Sequence, residues 1–225
     1  MTLNDVAYMV LESIRHHHIV DDERIDLRLI KDWVKLKRAQ YIKNSVSTNP
    51  NTRLNLNLYQ KIDVTLEVVD VIDAGDYPYS VTGIQDDKIV QSVNTIPSII
   101  EGKSGPLIYT IESEDLMKYP YSIVDYDYLR FAGNGKFNKN LIFAAIRDNR
   151  IYLKYNANFD TYDTVVIRAI FEDPTEVTGY QEDSTPFPAN LGLIEYIKNA
   201  IFEIDFNMTR AAKSDEVNNA SGDIK

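Results

Sequence analysis

Leu3, Val6, Val10 and Ile14 recur at steps of three and four, so the opening pattern predicts a helix over residues 2–18. Thr2 stands at its cap, and Asp5 three residues on completes a capping-box variant. A second helix is predicted over 26–46, with Asp26 as N-cap and Ile25 placed to pack on Ile30 as a hydrophobic staple. Leu29, Ile30, Trp33, Leu36 and Tyr41 give that helix a broad apolar face. Near the other end, Ile194, Ile197, Ile201, Ile204 and Met208 again step by three and four, which predicts a closing helix over 190–212. Arg210 and Lys213 lie at its end, where cations complement the helix dipole.

Between these helices the period falls from 3.6 to 2. Leu54, Leu56, Leu58, Ile62, Val64, Leu66 and Val68 all occupy even positions, the pattern of one long half-buried strand or of two strands on a hinge. The composition of SVSTNPNT, residues 45–52, marks a linker before them. Residues 73–140 are punctuated by Gly, Pro, Asp and Tyr and read as short strands between long loops. LIFAAIRDNRIYLKY, residues 141–155, reads as a hairpin turning at Asp148-Asn149. Residues 163–171 are a further strand, stopped by Glu172-Asp173-Pro174.

The expected fold is therefore α+β, with terminal helices packed as a helical layer beside a β-rich, barrel- or sandwich-like middle. The expected organisation is a helical hairpin at 1–48, a β-rich domain at 53–174, a C-terminal helix at 186–213 packing on the N-terminal helices, and a polar tail at 214–225. No solenoid repeat appears.

Composition narrows the function. A chain of 225 residues with 44% hydrophobic content buries a core without staples. It has no cysteine, which excludes disulfides, thiolate metal sites and a cysteine nucleophile. No apolar run approaches the roughly 18–20 residues of a membrane span, and the N-terminus lacks the basic region of a signal peptide. The net charge of −10 disfavours gripping nucleic acid over the surface. Against that acidity, Arg28, Lys31, Lys35 and Arg38 fall in one stripe of the second helix, a solvated face or a set of subunit contacts with an acidic neighbour. The chain's 15 tyrosines are first of all strand residues by propensity, and they also suit interfaces with a wet edge.

Candidate chemistry is sparse. The only histidines are His16, His17 and His18, followed by Asp21, Asp22 and Glu23. Consecutive residues on a helix point about 100° apart, so the three cannot converge on one ion. A helix C-terminus, where a partly protonated histidine meets the dipole favourably, accounts for them. A Ser-His-Asp system would need its base from the same triplet, and no GxSxG elbow occurs. AGNGK at 132–136 lacks the P-loop spacing and reads as a turn. No residue set argues for an enzyme, and no cofactor is expected.

Several stretches, in order, resemble the ring or adaptor protein of crAss-like short-tailed bacteriophages. They are IDLRLIKDWVKLKRAQYIKN, LYQKIDVTLEVVDV, IPSIIEGKSGPLIYTI, NRIYLKY with VVIRAIFEDP, and PFPANLGLIEYIKNAIFEIDF with SDEVNN. The resemblance implies a non-enzymatic, homo-oligomeric ring of the head-to-tail connector, commonly of about twelve subunits. Such a ring stacks under the portal, docks the tail and lets DNA pass without specific binding, in a virion assembled in the host cytoplasm. The competing readings are a β-rich tail or surface module that recognises glycan through the 73–140 loops, and a hydrolase built on an unrecognised carboxylate pair.

Overall fold

The computed structural model describes residues 1–17, 26–49, 53–70, 88–113, 121–129, 131–132, 141–154 and 163–206. The chain divides into two compact units, one of Met1–Leu58, Ile100–Gly105 and Glu172–Lys225, the other of Tyr59–Ile99 and Pro106–Phe171. The first is helical and the second is a sheet, so the α+β expectation holds.

In the helical unit, α1 (Leu3–His17) begins with the reciprocal cap that its sequence predicts. Asp5 N–H donates to Thr2 Oγ1 at 3.2 Å, and Thr2 N–H donates to Asp5 Oδ2 at 2.8 Å. Those bonds hold the Asp5 carboxyl below its ordinary range. Leu3, Val6, Val10 and Ile14 are all buried. Helix α2 (Leu27–Thr48) starts at Asp26, whose side chain accepts from Arg28 N–H. It runs through Ser45–Thr48, so the first half of the expected linker is helix, closed by Asn49 N–H donating to Ser45 O at 3.1 Å. Ile25, the expected staple, lies outside the described residues.

Helix α3 (Leu191–Ala200) is capped by Asn190, whose Oδ1 accepts from Leu193 N–H at 2.8 Å. A π-helical segment, Ile201–Phe206, continues it. Leu193, Ile194, Ile197 and Ile201 are buried, as their spacing predicts. The Ile204 side chain, Met208, Arg210, Lys213 and the 214–225 tail lie outside the described residues. The three helices pack on one another.

The second unit is a seven-stranded sheet of β1 (Gln60–Asp70), β2 (Lys88–Ser92), β3 (Ile108–Ser113), β4 (Ser122–Ile123), β5 (Phe143–Arg147), β6 (Arg150–Lys154) and β7 (Thr164–Ala169). The order is β3-β7-β1-β2-β6-β5-β4, antiparallel except for β4 with β5. Strand β1 is staggered between two partners. Gln60–Thr65 pair with β7, and Leu66–Asp70 pair with β2. Such stagger is what rolling a sheet into a barrel requires. The two end strands meet through Tyr121 N–H, which donates to Ile111 O at 2.8 Å, leaving the barrel nearly closed. Inward positions follow the period of 2: Ile62, Val64 and Leu66 of β1, Ile111 of β3, and Val165 and Ile167 of β7 are buried.

The even-position run is shorter than predicted. Asn55 O accepts from Leu58 N–H at 3.0 Å, and Asn55 Oδ1 accepts from Asn57 N–H at 3.0 Å, folding 56–58 into a 3₁₀ turn. Leu56 and Val68 are exposed despite their parity. The hairpin of β5 and β6 turns where expected, with Asp148 at φ 50° and Asn149 at φ 57°, a type I′ geometry matched to strand twist. Its outer side is covered too: Tyr126 and Leu129 pack with Ile89, Phe143, Ala145 and Tyr152.

Candidate functional site

Helix α2 organises the polar chemistry of the helical unit. Its buried side chains are Ile30, Val34, Lys37, Arg38, Ile42 and Val46. The broad apolar face expected at Leu29, Ile30, Trp33, Leu36 and Tyr41 is thus corrected: Ile30 alone of the five is buried, Trp33 is half-buried, and Leu29, Leu36 and Tyr41 are exposed. The residues 30, 34, 38, 42 and 46 step by four. Each step drifts about 40° around a helix of 3.6 residues per turn, so the buried stripe spirals and leaves the other apolar residues outside.

The four cations of the basic stripe have different fates. Arg28 is exposed. Lys31 Nζ reaches Glu182 Oε2 at 2.6 Å, and Lys35 Nζ reaches Asp173 Oδ2 at 2.9 Å and Asp32 Oδ1 at 3.2 Å. Arg38 is 0% exposed, so this member of the expected contact set lies beneath the surface of the chain. Its Nε donates to Pro188 O at 2.8 Å, its Nη2 donates to Leu58 O at 3.3 Å, and its guanidinium lies 6.0 Å from the Phe187 ring centre. Burial pulls its pKa down to about 10, still far above neutrality, so it remains charged.

Three of the four cations therefore hold one segment, Glu172–Asn190, which straps α2 and leads into α3. The strap is fastened at other points as well. Asn4 Nδ2 donates to Asp183 Oδ1, Thr2 bridges Pro186, and Phe187 N–H donates to Met1 O at 2.9 Å. Asp173 also caps its own 3₁₀ turn, accepting from Thr175 N–H at 2.8 Å and Thr175 Oγ1 at 2.6 Å. Burial alone would raise the Asp173 carboxyl, but these bonds and Lys35 outweigh it and leave the pKa below its ordinary value. Burial would likewise lower Lys35, and its two carboxylate partners reverse that, raising it. On the strap, Tyr180 is pushed up to about 12 by burial and by Glu182.

A groove of about 430 Å³ opens along α2 over Lys35, Leu36, Ala39 and Lys43, with Ile100 and Asp173 on its other wall. The helical unit keeps large apolar side chains outside: Leu29 and Leu36 on α2, and Leu191 and Tyr196 on α3. Tyr41 and Tyr196 meet with ring centres 4.7 Å apart.

In the barrel unit the tyrosines divide between buried and exposed positions. Tyr126 and Tyr152 are buried, with ring centres 4.9 Å apart, and the Arg147 guanidinium lies 4.9 Å from the Tyr126 centre. Tyr109 and Tyr128 are exposed.

Among the described residues no group of three His, Asp or Glu is placed to hold a metal ion. His18, Asp21, Asp22, Glu23 and the side chains of His16 and His17 lie outside them, as do residues 133–136 of the AGNGK stretch. No described helix is long and apolar enough to cross a membrane.

Fold and site together define an α+β protein whose charged groups fasten its own chain and whose helices display apolar side chains to the outside. Residues 5–224 match the family described as phage tail ring protein 2, one of the crAss ring families, so the chain belongs to that family. It is a structural protein of a phage tail, and so a part of the virion. No curated protein matches it significantly.

Proposed function

We propose that this protein forms a homo-oligomeric ring in the head-to-tail connector, stacked below the portal and docking the tail, with DNA passing through its centre. The observation that supports the reading is the match of residues 5–224 to a family of phage tail ring proteins. The ring is closed by one heterologous contact repeated about an axis, with about twelve copies expected by resemblance. The protein acts without catalysis or cofactor, and its assembly takes place in the host cytoplasm.

Charge supports the passage of DNA. A net charge of −10 repels phosphate and offers little counterion release, so DNA slides rather than sticks. The basic stripe takes a divided part in this proposal. Arg28 touches the neighbouring subunit, while Lys31, Lys35 and Arg38 act indirectly by holding the strap that backs the contact face.

Negative-stain imaging of the protein with its portal tests the reading. Rings centred on the portal are expected, with no retention of duplex DNA at physiological salt. Unassembled protein in the presence of portal overturns the ring, and tight duplex binding overturns the passive channel.

A further inference from the structure

We infer that the outer face of α2 seats a second copy of this chain, which contributes the exposed face of its α3. The inference rests on the ring reading and adds to it which surfaces meet.

Leu29, Trp33, Leu36, Gln40 and Lys43 step by four, three, four and three. That is the spacing of a coiled-coil seam, the surface that receives another helix. The seam runs about 20 Å along α2 at about 1.5 Å per residue. In the single chain it is open, with Leu29 43% and Leu36 51% exposed. The groove beside it, between Leu36 and Ile100, has room for a large side chain. Within the groove Lys35 is paired with both Asp32 and Asp173.

The complementary surface is on α3. Leu191 is 74% and Tyr196 46% exposed, and the exposed Glu195 lies between them. Glu195, which also pairs with Lys198 of its own helix at 2.9 Å, is opposite in sign to Arg28 and Lys43, the exposed cations toward the two ends of α2. Pairing α2 with α2 in antiparallel fashion would instead set those cations against each other. It would also be isologous and close a pair, whereas α2 against α3 is heterologous and propagates around a ring.

The absence of cysteine makes a clean test. Leu36→Cys and Leu191→Cys chains are prepared separately, mixed under ring-forming conditions with portal, and treated with a short bismaleimide. A two-chain product in the mixture and in neither variant alone is the expected result. A product from Leu36→Cys alone would mean an α2–α2 contact, and rings without any product would mean a different interface; either overturns the inference while the ring stands. Absence of rings with unmodified protein overturns both. A second variant, Leu36→Asp, is expected to keep the wild-type unfolding midpoint and lose ring formation; rings that persist in it contradict the seam.

Discussion

Arg38 shows how one residue can conceal a helix face. It lies four residues after Val34 and four before Ile42, in line with the buried stripe, yet its charge makes that stripe read as polar. The missing signal was present as spacing: an arginine between apolar residues at steps of four can be a buried hydrogen-bond donor. Replacing it by methionine keeps much of the volume but leaves the Pro188 and Leu58 carbonyls without these donors. A loss of about 2 kcal/mol is expected from the urea midpoint, since each unmet buried acceptor costs about 1–3 kcal/mol. An unchanged midpoint would contradict the role. Asp173 offers a pH test. Its folded pKa lies below 3.8, so its contribution is present at neutral pH and is lost as the pH falls through the folded value. Lys35 has the opposite sense: its folded pKa lies above 10.5, and its contribution is lost only as the pH rises through that value. Asp173→Asn is therefore expected to melt lower than wild type at pH 7, with the gap narrowing below pH 3.8 in scanning calorimetry. A gap that stays constant with pH would rule the linkage out.

At the scale of elements, helices and turns were legible wherever local chemistry decides them. Thr2 with Asp5 and Asp26 cap helices, and Asp148-Asn149 turns the hairpin, because each is satisfied by its immediate neighbours. What was not legible was which of two apolar stripes on α2 faces the core, since both have helical period and tertiary packing chooses between them. Leu54 and Leu56 failed for a related reason: Asn55 offers its side chain and carbonyl to the following turn, which outcompetes the strand their parity suggests. The strand pattern left barrel and sandwich both open, because what decides for the near-closed barrel is the stagger of β1 between two partners. Three variants test these elements. Ile201→Asp places a charge at a position with 0% exposure. It is expected to cost roughly 3–5 kcal/mol, the scale of an uncompensated buried charge, and to abolish protease resistance of the helical unit. Survival of that resistance would mean the α3 stripe is misplaced. Asn149→Val forces a β-branched residue into φ 57° and is expected to lower stability by roughly 1–2 kcal/mol, whereas Asn149→Gly should be close to neutral. Equal unfolding midpoints for the two variants would contradict the I′ turn.

On the scale of the whole molecule, the same helices serve two ends. Their inner faces and the strap held by Lys31, Lys35 and Arg38 make one packed unit, and their outer faces leave apolar side chains exposed, which the proposed ring gives another chain to cover. A packed interior and an exposed apolar face belong together in the proposed ring subunit, since a repeated heterologous contact closes only if every copy presents the same angle. Native mass spectrometry of the protein assembled with its portal tests the central claim most directly. The ring account predicts one dominant closed species holding a fixed number of 25.8 kDa chains. A monomer, or an open-ended series of oligomers with no preferred size, would contradict it.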